Sequence, residues 1–214
     1  MNVVTAAKLA GGRAVMVALA VVAAAGCESK EQRMLGEWER GCAAGELDSC
    51  AAAGEAYVKG MGAAKNTPKG VAMLTDACKR GGARACLVLG EGHATGTDLP
   101  RDEAEARKFL GKACDEGVQE GCVRSCDVYG DAIRCLHVAV LAAQGGKDLQ
   151  RAGAYYRKAC DHGHPLACRE VGRMYREGIG VNKDGAQAAA YSSKADELFK
   201  SACAAPIKPD YCDL

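Results

Sequence analysis

Cysteine offers the most chemistry in this 214-residue chain, and there are 13 of them. They are Cys27, Cys42, Cys50, Cys78, Cys86, Cys114, Cys122, Cys126, Cys135, Cys160, Cys168, Cys203 and Cys212. A thiolate can ligate a metal, act as a redox nucleophile or pair with another cysteine. Cys122, Cys126 and Cys135 are the most suggestive group for a metal. Structural zinc sites, however, draw on closely paired ligands, and no Cys-x-x-Cys occurs in the chain. The same lack argues against a catalytic disulfide exchanger. Disulfides are therefore expected, with no metal, cofactor or catalytic residue assigned.

Disulfides need an oxidising compartment, and the N-terminus reads as an address for one. Lys8 and Arg13 accompany an apolar run of 12 residues, Ala14 to Ala25. Such a run is too short to cross a bilayer as a finished helix but suits an export signal. It ends in Ala24-Ala25-Gly26-Cys27, which resembles the lipobox of bacterial lipoproteins. The resemblance implies removal of residues 1–26 and lipidation of Cys27, with residues 27–33 as a tether to a repeat domain at 34–214. That family prefers leucine where Ala24 stands. The other reading is an ordinary signal peptide cut near Ala25, which leaves Cys27 a free thiol. Glu28 differs from the aspartate that resembles an inner-membrane retention signal, which points to the outer membrane. Thirteen is odd, and withdrawing Cys27 to lipid leaves an even set that can all pair.

The remaining cysteines reveal a period. Cys42/Cys50, Cys78/Cys86, Cys114/Cys122 and Cys160/Cys168 are each eight apart, and the first three pairs recur every 36 residues. Self-similarity at such a period marks a repeat array. Three residues after the first cysteine of each pair comes Gly45, Gly81, Gly117 or Gly163, suited to the left-handed residue that ends a helix. Four after the second comes Gly54, Gly90 or Gly172, but Cys126 in the third repeat. Glycine inside a helix costs about 1 kcal/mol against alanine, so its recurrence points to closely approaching helices. Seven after the second comes Tyr57, His93, Tyr129 or Tyr175; sixteen after it comes Asn66, Asp102 or Asp184, each a helix N-cap.

The unit is thus helix, turn, helix, tight turn. Ala106, Phe109, Leu110 and Ala113 fall on one helical face. Seven to nine helices and no strand are expected, at about 30–43, 47–60, 67–79, 83–95, 102–115, 119–143 (open to a break near Gly130), 148–161, 165–178 and 184–203. Each eight-apart pair should close on itself, because its cysteines flank a turn between antiparallel helices that pack about 8–10 Å apart. Cys203 and Cys212 should pair across Pro206 and Pro209. Cys126 and Cys135 can pair only if the helix breaks near Gly130; otherwise they stay as thiols or find other partners.

These positions resemble the Sel-one-like repeat family, relatives of the tetratricopeptide repeats, and within it the cysteine-rich subgroup first known from Helicobacter. The motif reads Tyr156-Arg157-Lys158-Ala159-Cys160, Ala167-Cys168, Gly172, Tyr175, Gly178-Ile179-Gly180-Val181 and Asp184. The resemblance spans about residues 34–203 and implies an all-α, right-handed α/α solenoid cross-linked by disulfides. Two spacings depart from it: Cys114 to Cys160 is ten residues longer than the period and Cys160 to Cys203 seven longer.

Solenoids present curved surfaces to other proteins, so a lipid-anchored envelope scaffold for a protein or peptide partner is the expected function. Net charge is +1 for the whole chain, which gives no basic face for nucleic acid. The alternative implied by the resemblance is binding, or weak hydrolysis, of β-lactams or cell-wall fragments. No Ser-x-x-Lys and no His-x-His-x-Asp occurs, so hydrolysis lacks an activated nucleophile or a metal cage. His162 and His164 flank Gly163 in what reads as a solvated turn. His93 stands where other repeats carry tyrosine and is expected to pack.

Overall fold

The computed structural model describes residues 28–204 together with residues 209 and 212. The expected signal segment 1–26 and the candidate lipid-bearing Cys27 lie outside the described residues.

Ten α-helices follow one another with no strand among the described residues: α1 (Lys30–Ala43), α2 (Leu47–Lys59), α3 (Thr67–Lys79), α4 (Ala83–Thr95), α5 (Glu103–Asp115), α6 (Gln119–Tyr129), α7 (Ala132–Ala143), α8 (Leu149–Asp161), α9 (Pro165–Glu177) and α10 (Gly185–Cys203). The expectation of seven to nine is corrected to ten. The segment 119–143 is two helices, because Gly130 takes a left-handed conformation (φ 64°) and closes α6. The Asp131 carboxylate then opens α7 by accepting from the Ile133 and Arg134 amides. A short 3-10 turn, Gln144–Gly146, leads from α7 to α8.

Local chemistry accounts for the boundaries. Asn66, Asp102 and Asp184 cap α3, α5 and α10 by accepting from backbone amides two or three residues on. Asp148 caps α8 in the same way. The tight turns end in Gly45, Gly81, Gly117 and Gly163, whose φ values lie between 87° and 94°; an L side chain there would be strained. The last helix runs 19 residues against 13 for most of the others, which absorbs the extra length before Cys203.

α2 packs along α3, α4 along α5, α7 along α8 and α9 along α10, forming the antiparallel pairs of an all-α solenoid. Two large apolar clusters result. One joins Leu74, Leu89 and Leu99 with the first two tight-turn disulfides. The other joins Val138, Tyr156, Val171 and Met174 with the cysteines from Cys114 to Cys168. α6 lacks a long antiparallel partner of its own, since the chain turns at Gly130 into α7 and it is α7 that packs along α8.

The twelve cysteines from Cys42 to Cys212 are bonded as six sequence neighbours. Cys42 is joined to Cys50, Cys78 to Cys86, Cys114 to Cys122 and Cys160 to Cys168, with Cα atoms 4.4–4.8 Å apart across the tight turns. Cys126 and Cys135 bridge the Gly130 corner at 4.8 Å, and Cys203 and Cys212 close the C-terminal end at 5.6 Å.

Candidate functional site

The first helices of three successive units stand side by side and line one pocket of about 510 Å³. Val58 comes from α2, Val88 from α4 and Val128 from α6, while Leu99 on the turn after α4 closes one side. Leu74 and Leu110, both buried, back it from α3 and α5. Val128 is 57 % exposed, although a valine of a regular helix pair would be expected to turn inward. The base of the pocket is thus apolar and buried, with Val88 half-buried and Val128 exposed at its mouth, a concave apolar surface of the type that marks a binding site.

The rim is charged and internally balanced. Glu55 pairs with Lys59 at 2.6 Å and with Arg84 at 3.5 Å. Arg124 reaches Glu91 at 3.5 Å and Glu120 at 2.8 Å, and Lys65 reaches Asp98 at 3.1 Å. The hydrogen bond that Lys59 donates to the Glu55 carboxylate raises the ammonium's pKa above its usual value. No sign of charge dominates, so the pocket suits apolar side chains rather than phosphate. Of its two threonine hydroxyls, that of Thr95 donates to the Glu91 carbonyl at 2.9 Å.

Why the sequence builds this face is visible at the recurring glycines. A Cβ at Gly54 would lie 2.8 Å from Leu74 Cγ, and one at Gly90 would lie 2.7 Å from Leu110 Cγ. Only glycine lets α2 and α4 seat so deeply on α3 and α5. The recurring aromatic position packs on the residue sixteen ahead: His93 stacks on Phe109 with centroids 6.0 Å apart, and Tyr175 on Tyr191 at 5.8 Å. His93 Nδ1 also meets the Pro100 carbonyl at 2.9 Å, so its role is packing. Tyr57 differs in detail. Its hydroxyl donates to Glu39 at 2.6 Å while Lys69 sits over its ring, and the Tyr57 hydroxyl, followed by Lys69, holds the Glu39 carboxyl below the usual range.

The third unit breaks the pattern. Tyr129 packs backward beneath Arg107, whose guanidinium lies 4.6 Å from the ring centroid. Arg134 of α7 grips both oxygens of Asp115 on α5, the second contact at 2.9 Å. Asp127 of α6 accepts from Tyr155 at 3.2 Å and Lys158 at 2.6 Å, both on α8. These contacts fix the end of α6 and with it Val128.

The cysteines and histidines that the sequence singles out as candidate site residues do not line the pocket. Cys50 shows why. It stands on α2, the helix that also carries Val58, yet it does not line the pocket. Cys50 is buried among Leu74, Ala77 and Cys78 and bonded to Cys42. Its Sγ lies 3.7 Å from the Cys42 carbonyl, but with the sulfur in a disulfide there is no thiol proton to donate. Cys50 is thus the structural disulfide residue that the spacing leads one to expect, facing the tight turn and not the groove. Cys86, Cys122 and Cys168 occupy the matching place in α4, α6 and α9, and none of them lines the pocket either.

The cysteine group Cys122, Cys126 and Cys135 is split between two disulfides. His162 is exposed in the turn after α8, with its ring over Gly130. His164 corrects the expectation of a solvated turn. It is 8 % exposed, as the N-cap of α9 with its amide donating back to the Ala159 carbonyl of α8 at 2.9 Å, and burial lowers its pKa. Sequence reasoning misses the pocket. Its signal is the pair Val58 and Val128, eight and six positions after the second cysteine, which a period of glycines and tyrosines does not reveal.

The Sel1 repeat family matches residues 47–82, 83–118, 141–164 and 165–195, more than half of the chain. Residues 119–140, which hold α6 and most of α7, fall between the matches. Cytochrome c oxidase assembly factor 7 of Xenopus tropicalis and assembly factor 7A of Xenopus laevis are each 33 % identical over 73 residues, covering 32 % of this chain and 32 % of theirs. The chain thus aligns with about a third of the length of those relatives. Among solved structures, c5321, a protective antigen of uropathogenic Escherichia coli with an SLR fold, is 18 % identical at TM-score 0.41, over 79 % of this chain and 42 % of that one. A Sel1 repeat protein from Oxalobacter formigenes is 20 % identical at 0.39, over 81 % and 69 %. Cysteine rich protein B of Helicobacter pylori is 25 % identical at 0.27, over 63 % and 89 %.

Proposed function

Because the chain belongs to the Sel1 repeat family, we propose that it is an exported, lipid-anchored scaffold that holds a partner protein in the pocket of α2, α4 and α6. The observation that carries this reading is the apolar pocket with Val58 at its base and Val88 and Val128 reaching solvent, within a charge-balanced rim. The occupant that fits is a short amphipathic helix of a partner, delivering two apolar side chains at i and i+3 or i+4. Six disulfides among the described residues suit an oxidising, extracytoplasmic location. Cys27, outside that paired set, would carry the lipid, and the expected tether of 27–33 would shorten to the few residues before α1 begins at Lys30, holding the solenoid at the outer membrane. Intact-mass measurement of membrane-extracted protein should find Cys27 acylated at the N-terminus.

The pocket volume also falls in the range of small-molecule sites, about 300–1,000 Å³, which keeps a cell-wall fragment or β-lactam as the second reading. The two readings separate in one experiment. A photo-cross-linking residue is placed at Val128 in intact cells, with Glu197 on the exposed face of α10 as control. The scaffold reading expects one defined protein adduct at position 128, none at 197, and loss of the adduct when Val88→Glu is added. No protein adduct at 128, together with turnover of a chromogenic β-lactam, would transfer the pocket to the second reading. Equal labelling at both positions would leave the pocket without a role.

A further inference from the structure

At the junction of α5, α6 and α7 three potential ligand atoms converge. Cys114 sits in the last turn of α5, Cys122 in the first turns of α6 and His137 in the middle of α7. The two sulfurs and an imidazole nitrogen all lie within 4.8 Å of one another. Both cysteines are buried, while His137 is exposed. Among the described residues, no other disulfide has a histidine or carboxylate so placed. The cause is α7. The helix between Gly130 and Gln144 brings His137 over a tight-turn disulfide whose counterparts, Cys42–Cys50, Cys78–Cys86 and Cys160–Cys168, have no such neighbour.

We propose that Cys114, Cys122 and His137 form a redox-gated site for a thiophilic metal ion of the zinc class. While the disulfide is closed the site offers no thiolate. A dithiol reductant opens it: the Cys114–Cys122 S–S bond breaks, two electrons and two protons pass to the chain as two thiols, and the reductant leaves as its own disulfide. Each thiol then releases its proton to solvent as its sulfur bonds the metal. The result is a Cys₂His set with a fourth, solvent-facing position, a known zinc arrangement.

The surroundings favour this. Arg134, one turn before His137, places a guanidinium nitrogen 3.7 Å from Cys114 Sγ, and a neighbouring cation favours the thiolate. The ion pair of Arg134 with Asp115 ties α7 to α5 independently of the disulfide and so keeps His137 beside Cys114, while the Val118 amide, donating to the Ala113 carbonyl at 2.9 Å, holds the tight turn that leads to Cys122. His137 faces solvent, which gives the metal its route in.

The test uses the full mature chain. It is reduced with a dithiol, loaded with Zn²⁺, freed of reductant and exposed to oxidised glutathione, and thiols left open are alkylated and located by peptide mapping. The expected result is selective: five disulfides reclose, while Cys114 and Cys122 remain alkylatable until a chelator removes the zinc. His137→Gln, a substitution at an exposed position, should leave helicity unchanged. It should weaken zinc retention at least as much as loss of an outer-shell partner does, about 10–100-fold. Co²⁺ in place of Zn²⁺ should give the visible absorption of a tetrahedral thiolate site. Closure of Cys114–Cys122 at the same rate with and without zinc would overturn the proposal. So would zinc protection of another pair, equal retention by His137→Gln, or a reduced chain that unfolds and does not refold on zinc.

Discussion

At Gly54 and Gly90 the first helix of a repeat lies so close to the second that no side chain fits between them. At the matching position of the next unit stands Cys126, bonded to Cys135. Residues 47–118 thus hold the two helices of each repeat by close packing on Leu74 and Leu110, with disulfides only at the tight turns between repeats. Residues 119–148 hold theirs by a covalent bond, an Arg134–Asp115 clamp and an Asp127–Lys158 pair. A glycine is useful only where a partner helix lies opposite. In the third unit the chain turns after α6, no such partner faces it, and a cross-link at the corner takes over. The rearrangement has consequences on both sides: it leaves Val128 open in the pocket and brings His137 to Cys114.

The largest expected effect lies on the close-packed side. Gly90→Leu forces a side chain into Leu110 and its backbone nitrogen, and should destabilise the chain by about 3 kcal/mol, at the upper end for overpacking. Urea unfolding of the full chain reads it. A midpoint within error of the unsubstituted protein would mean that the helices are not seated as described. Next, replacing Cys126 and Cys135 together with serine should cost about 2–3 kcal/mol, the entropy of a loop of roughly ten residues. The loss should be seen as a lower Tm under non-reducing conditions.

Gly111 sharpens the contrast, because it lies in α5 with only the tip of Arg134 near its would-be Cβ, at 3.8 Å. Gly111→Ala should therefore stabilise by about 1 kcal/mol, opposite in sign to any enlargement at Gly90. Asp102→Ala and Asp148→Ala remove N-caps on the two sides and should each cost about 1 kcal/mol. Urea midpoints compare them directly, and unequal losses would show that α8 is anchored differently from α5.

The smallest effect is a pH dependence. Burial lowers the His164 pKa in the folded chain, so the unfolded chain takes up the proton first as pH falls. Stability is whole above pH about 6.5 and declines below it, through the lowered folded-state pKa. Melting temperatures from pH 8 to 5 should show a shallower decline for His164→Gln.

Much of this was legible in the residues. Cys42 with Cys50, and the counterparts of that pair, announce a turn; Gly45 and Gly81 end helices, and Asn66, Asp102 and Asp184 begin them. Those signals are local, since each depends on a few neighbours in the chain. The break at Gly130 was readable as a condition for pairing Cys126 with Cys135, but one glycine in an otherwise helical run does not fix a turn by itself. Asp131 capping α7 completes it. The pocket depends on three helices meeting, and the depth of His164 on how α8 and α9 pack at their turn. Neither is a property of a local stretch.

The central claim is that an extra helix enters the solenoid between Gly130 and Gln144 and is fixed by its own disulfide. Peptide mapping of the mature chain under non-reducing conditions, with prior alkylation of free thiols, tests it most directly. The account predicts that Cys126 is linked to Cys135 alone, beside five other bonds between sequence neighbours, and that neither is alkylated. Cys126 or Cys135 recovered as a free thiol, or joined to Cys114, Cys122 or Cys160, would contradict it.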